Sequence, residues 1–265
     1  MLKIQNLHIS FGNHVAVDLD SLSMERGESL AIVGESGSGK SLTALSVLGL
    51  LPKNTNVRGS ILFEDTDICS MTRKELQRVR GKKIAMVFQE PMTSLNPVFP
   101  VGEQLVETIV AHESVSRRQA KQDSVALLEE VGISSTRFHA YPHEFSGGMR
   151  QRIVIAIALA CKPTLLIADE PTTALDASTS MQIVSLLQTL QKKRGMATLF
   201  ITHDLCLVPA IADRVCVMRS GKIIEQGETN TVLRTPSHTY TKALIACVPT
   251  LDTKRERLCT VQDVY

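Results

Sequence analysis

Ser29-Leu30-Ala31-Ile32-Val33-Gly34-Glu35-Ser36-Gly37-Ser38-Gly39-Lys40-Ser41 passes from an apolar run through a glycine-rich turn into a stretch that predicts a helix over 40–50. The run is apolar nearly throughout rather than alternating, the pattern of a strand buried on both faces of a parallel sheet. Gly34 to Ser41 fits G-x-x-x-x-G-K-[ST] in the context that motif requires, after a strand and before a helix. Small residues let backbone N–H groups close around phosphate oxygens. The helix turns its partial positive end to the same anion, Lys40 adds a full charge, and the Ser41 hydroxyl is placed for Mg²⁺. The rival dinucleotide fingerprint fails, because Leu42 stands where Gly37-x-Gly39 would need its third glycine.

Three further apolar runs repeat the strand pattern: Ile84 to Phe88, Thr164 to Ala168 and Thr198 to Thr202. Helices are predicted between them, notably over 117–131 and 178–193. Strand followed by helix, several times over, predicts an α/β fold with its active loops at the carboxyl ends of parallel strands. Residues 1–28 and 57–68 alternate instead, as in Leu2, Ile4 and Leu7 or Ser60 to Phe63, between Gly12, Gly27 and Gly59, which predicts an antiparallel edge sheet. From about residue 93 to 157 the reading is helical, with Pro91, Pro97, Pro100 and Pro142 as boundaries, so a helical subdomain is inserted between core strands. Beyond about Glu228 a short helical extension follows, with turns at Pro236 and Pro249.

Composition removes several function classes. Of 265 residues, 43% are hydrophobic and 21% charged, which suits a chain with a sizeable core. A net charge of +2 gives no field for nucleic acid or anionic lipid, and the absence of Trp beside three Tyr and seven Phe disfavours a base-stacking platform. The six cysteines form no C-x-x-C pair, so no zinc site or disulfide framework is expected, and they read as reduced, mostly buried thiols. Met1 to Asn13 lacks the basic end and apolar block of a signal peptide. The longest apolar run, Ile153 to Cys161, is about half of the roughly 20 residues a spanning helix needs. The expectation is a cytosolic chain that reaches a membrane through a partner.

Other segments carry candidate chemistry. Leu165-Leu166-Ile167-Ala168-Asp169-Glu170 is a buried strand ending in adjacent carboxylates, whose side chains point different ways, so Asp169 is suited to Mg²⁺ and Glu170 to the attacking water. Gln89 ends the strand of Ile84 to Phe88, where its amide reaches metal and water, and His203 follows the strand of Thr198 to Thr202 at the same sheet edge. Phe145-Ser146-Gly147-Gly148-Met149-Arg150-Gln151-Arg152 opens an apolar helix through Cys161 and forms a second helix N-terminus with two glycines, suited to a second anion. It lies far along the chain from Lys40, and one use for it is to grip the γ-phosphate of ATP bound on another subunit. His139 and His143 are four apart, but Pro142 between them breaks the helical face a metal pair would need.

In combination these segments resemble the ATP-binding cassette (ABC) family over residues 1–230. Gly34 to Ser41 resembles its Walker A motif, Gln89 its Q-loop, Phe145 to Met149 its LSGGQ signature and Leu165 to Glu170 its Walker B. Ala174-Leu175-Asp176 resembles its D-loop, His203 its switch histidine, and Phe11 sits where the family stacks an aromatic on adenine. Phe145 and Met149 replace the Leu and Gln of the signature, and Thr173 stands where Ser is common. The resemblance implies a P-loop NTPase core with an antiparallel β edge and an inserted helical subdomain. It also implies a head-to-tail dimer with a second ATPase of the same or a sister chain, each ATP lying between one Walker A and the other signature. Gln89 to Pro97 and the signature look like importers of dipeptides, oligopeptides and nickel, and His238-Thr239-Tyr240-Thr241-Lys242-Ala243-Leu244 resembles the tail of that group, within an extension over 231–265. Only Cys247 and Cys259 lie in that tail, so no iron–sulfur cluster is expected. The implied partners are two membrane permeases and, indirectly, an extracytoplasmic solute-binding protein, with the ATPase held on the cytoplasmic face of the inner membrane and no nucleic acid involved. A peptide cargo is favoured over nickel. Soluble cassettes of translation or repair would need a tandem cassette or a long coiled coil, and export or lipoprotein-release ATPases lack the His238 to Leu244 type of tail.

Overall fold

The computed structural model describes residues 1–89, 94–173 and 175–248. They divide into two units, one formed by residues 70–199 and the other by the chain on either side.

In the flanking unit, β1 (Leu2–Phe11), β2 (His14–Met24), β4 (Thr55–Phe63) and β5 (Thr66–Asp67) form the antiparallel sheet predicted from alternation, in the order β2-β1-β4-β5. Its register sets Ile4 between Leu22 and Ile61, which puts Leu2, Ile4, Leu7 and Ile9 on the buried face. β3 (Ser29–Val33) is buried at every residue and runs parallel to β9 (Arg214–Arg219). β9 pairs antiparallel with β10 (Lys222–Glu228). This last hairpin escaped the apolar-run reading. Its signal is the pair Ser220-Gly221, with φ of 46° and 82°, the two-residue turn that matches the twist of the flanking strands. α1 (Lys40–Val47) ends before the predicted Leu50, because Gly49 at φ 61° turns the chain and its N–H bonds the Ser46 carbonyl. After β10 come α8 (Thr229–Arg234) and α9 (Thr239–Ala246), with Pro236 between them. Pro249 and Cys259 lie outside the described residues.

The unit of residues 70–199 contains β6 (Ile84–Val87) and β7 (Leu165–Asp169), parallel, with Ile84 opposite Leu165 and Val87 opposite Ala168. Two predicted strand ends shift. Phe88 lies beyond β6 and is exposed, while Asp169 is the last residue of β7 itself. Among the described residues its longer helices are α2 (Arg73–Val79), α3 (Val101–His112), α4 (Arg117–Glu130), α5 (Gly147–Leu159) and α6 (Ala177–Arg194). Ser116, Ser146 and Asp176 cap the last three, each side chain accepting an N–H of the first turn. Leu105, Ile109, Leu128, Ile153 and Leu187 belong to the core of this unit. β8 (Ala197–Thr202) carries the chain back to the flanking unit, where α7 (Val208–Ile211) follows.

The cysteine expectation needs correction. Cys161 and Cys216 are buried, but Cys69, in a single 3-10 turn over Ile68–Ser70, and Cys206, in the turn after β8, are at the surface, and Cys247 is half-buried. Burial pushes the thiols of Cys161 and Cys216 up to about 11 and about 12. Among the described residues, no helix is long and apolar enough to cross a membrane.

Candidate active site

The flanking unit holds the phosphate loop. Gly34 to Gly39 links β3 to α1, and α1 starts after Gly39, at φ 102°, without a side-chain cap, so its positive end faces the loop. Lys40 is 5% exposed, and its ammonium donates to the carbonyls of Gly34 and Glu35, both at 2.8 Å, and to the Ser38 hydroxyl at 3.5 Å. A buried cation needs such acceptors, and these align it along the loop. Ser41 is exposed in the first turn of α1, as a metal-ligating hydroxyl there must be. Glu35, Ser36 and Gly37 form the open rim of the loop, and Ser38 is buried beneath it. His203 is exposed immediately after β8, and Phe11 is half-buried at the end of β1, opposite His14 and Thr55.

The other unit holds the carboxylates. Asp169 ends β7 and is 7% exposed. Glu170 then leaves the strand at φ 48°, a left-handed conformation that costs a non-glycine residue about 1–3 kcal/mol and persists only when neighbours hold it. Those neighbours are Gln89, whose Nε2 donates to Glu170 Oε2 at 3.1 Å, and Thr173, whose hydroxyl donates to the same oxygen at 2.8 Å. Gln89 and Glu170, predicted from separate strands, are therefore in direct contact. The Thr173 hydroxyl is a further contact that the sequence reading noted only as a departure from Ser.

Ser146 caps α5, accepting the Met149 N–H at 3.4 Å, so Gly147 and Gly148 occupy the first turn and bring no side chain of their own to it. Gly148 also permits a close approach to α6, since a Cβ there would lie 2.4 Å from Thr179 Cγ2. Thr179 in turn donates through its N–H and its hydroxyl to the Asp176 carboxylate, at 2.9 and 2.7 Å. These two bonds, the hydroxyl first, hold the Asp176 carboxyl below the usual carboxylate range. The Asp176 and signature segments thus meet through Thr179. Ala174 lies outside the described residues, as do residues 90–93 of the predicted Q-loop stretch.

Two contributors were not read from sequence. Gln104 of α3 bonds the loop before it three times, donating to Asn96 O and Phe99 O and accepting the Asn96 N–H. Tyr240 of α9 is fully buried, and its hydroxyl accepts the Glu35 N–H of the phosphate loop at 3.4 Å.

Residues 17–173 match the family described as ABC transporter, and residues 224–263 match the oligopeptide/dipeptide transporter C-terminal region. The oligopeptide transport ATP-binding protein OppD of Bacillus subtilis is 49% identical over 268 residues, covering 98% of this chain and 75% of the relative. The dipeptide transport ATP-binding protein DppD of the same organism is 47% identical, covering 95% and 78%. Among solved structures, a dimeric post-hydrolysis state of an ATP-binding cassette bound to ADP and Pi superposes with a TM-score of 0.75 at 26% identity, covering 86% of this chain and 99% of that one. With a strand–loop–helix phosphate cradle, a paired-carboxylate strand end and these matches along its length, the chain belongs to the ABC transporter family.

Proposed function

We propose that the chain is the ATP-hydrolysing, energy-coupling subunit of an importer of di- or oligopeptides. The observation that carries this reading is the match of residues 224–263 to the oligopeptide/dipeptide transporter C-terminal region, on the same chain as the Lys40 cradle. Residues 1–230 act as the cassette, with a helical subdomain over about 93–157, and 231–265 as the extension.

In this reading Lys40 and the N–H groups of the loop Gly34 to Ser41 hold the β- and γ-phosphates of ATP, and Phe11 stacks on adenine. The Ser41 hydroxyl, the Gln89 amide oxygen and the Asp169 carboxylate are all hard oxygen donors, which fits Mg²⁺. Bound Mg²⁺ neutralises charge on the phosphate oxygens. Glu170 takes the proton from the attacking water, Gln89 and Thr173 hold its carboxylate in place, and His203 steadies the γ-phosphate. Ser146, Gly147 and Gly148 of a second cassette, of the same or a sister chain, close over that phosphate, with Asp176 beside them. Two permeases hold the subunit on the cytoplasmic face of the inner membrane and receive cargo from an extracytoplasmic binding protein.

The test is reconstitution with the permeases in vesicles. ATP hydrolysis is expected to rise when a peptide-loaded binding protein is added. Stimulation by a nickel chelate alone would transfer the reading to metal import, and hydrolysis indifferent to permeases and cargo would sink it.

A further inference from the structure

Among the described residues of the C-terminal extension, Tyr240 reaches the phosphate loop with its side chain. Glu225 of β10 accepts the N–H groups of Ser237 and His238, at 2.6 and 3.1 Å, which anchors the start of α9. His238 then caps α9 through the Tyr240 N–H at 3.0 Å. Tyr240 is fully buried, with the Arg219 guanidinium 4.7 Å over its ring, and its hydroxyl accepts the Glu35 N–H. Burial pushes the phenol above its ordinary value, so it is protonated at neutral pH.

The Glu35 N–H and the Gly34 carbonyl belong to one planar peptide group. That carbonyl accepts from the Lys40 ammonium at 2.8 Å. Gly34 is itself fixed from behind, since a Cβ there would lie 2.1 Å from the Met218 carbonyl oxygen of β9. One peptide plane is therefore held at its carbonyl by Lys40 and at its N–H by Tyr240. Rotating the plane would displace the acceptor that aims the ammonium.

We propose that Tyr240 is a positioning residue for Lys40, so that the C-terminal extension sets the affinity of the phosphate loop for nucleotide. The inference rests on the reading of Gly34 to Ser41 as an ATP loop. Arg219 and the helix cap place the ring, and the hydroxyl transmits that placement to the loop. Loss of the hydroxyl leaves the ring, its packing and the fold in place, and frees the Gly34–Glu35 peptide to rotate.

The experiment compares the full chain with Tyr240→Phe, by titration with a fluorescent ATP analogue in the presence of Mg²⁺, by thermal melting without nucleotide, and by ATP hydrolysis in the assembled transporter. Tyr240→Phe is expected to weaken nucleotide binding about three- to tenfold, the scale of one hydrogen bond. KM for ATP should rise by a similar factor with kcat within about twofold, and the melting temperature should be unchanged. A Tyr240→Phe protein that binds nucleotide as the wild type does overturns the proposal whatever its melting temperature, as does a fall in kcat larger than the rise in KM. A wild-type chain that binds no ATP fails the earlier reading instead.

Discussion

Lys40 is buried and aimed by two carbonyls, so truncating it removes the one full positive charge the phosphate loop motif supplies. Lys40→Ala is expected to abolish tight ATP binding, measured by nucleotide titration, and wild-type turnover in that variant would remove the phosphate-loop assignment. Thr173 acts at the other carboxylate. Its hydroxyl and the Gln89 amide converge on one oxygen of Glu170, which sits in a strained conformation, so Thr173→Val removes one of the donors that hold that oxygen. Hydrolysis should slow several-fold with KM for ATP unchanged, as steady-state kinetics will report. The places of Lys40 and Ser41 at the start of α1, and of Asp169 and Glu170 at the end of β7, are legible in the sequence because each lies in an unbroken strand-and-turn segment whose local geometry is set by its own residues. That of Tyr240 is not, because its partner lies 205 residues away and only folding joins them.

At the scale of elements, α3 carries its preceding loop as a rigid attachment. Gln104 makes three bonds to that loop, Leu95 is buried beneath it, and Val98 and Phe99 stand 71% and 44% exposed. Apolar side chains held outward on a braced loop suit a short permease helix. Single cysteines across residues 94–99 should crosslink to a cytoplasmic permease loop with a yield that changes with ATP, and Gln104→Ala should blunt the change. Crosslinks confined to the extension beyond Glu228 would rule this surface out. The carboxyl ends of α4 and α6 are joined differently, through Glu130, which accepts from Lys193 at 2.8 Å and from Arg194. Burial acts to raise the Glu130 carboxyl, but the two cations outweigh it and hold it below its ordinary value of 4.5. A depressed carboxyl contributes stability above 4.5, and the contribution fades as pH falls through the lower folded-state value. Glu130→Gln should therefore cost about 1 kcal/mol at neutral pH, and its melting curve should converge on that of the wild type in acid. Sequence patterning located the long helices because their caps and apolar spacing are local. It missed the β9–β10 hairpin because the apolar part of β9 is only four residues between Arg214 and Arg219 and β10 is only half-buried, which leaves the Ser220-Gly221 turn as the clearest mark.

For the molecule as a whole, the proposed chemistry needs two cassettes, because the Lys40 loop and the Ser146 helix are to act on the same ATP from different subunits. Glu170→Gln should keep nucleotide binding, slow hydrolysis at least about a hundredfold, and trap an ATP-bound dimer visible by size-exclusion chromatography. Hydrolysis at the normal rate would pass the base role to another residue, His203 first. The close approach of Gly148 to Thr179 bears on how such a dimer closes. A methyl group at 148 is admitted only if Thr179 rotates, and that rotation breaks its hydroxyl bond to Asp176. The opening turns of α5 and α6 are consequently one mechanical piece. Their amide hydrogens should trade for deuterium in step, and slow by a common factor when ATP brings the second subunit down on them.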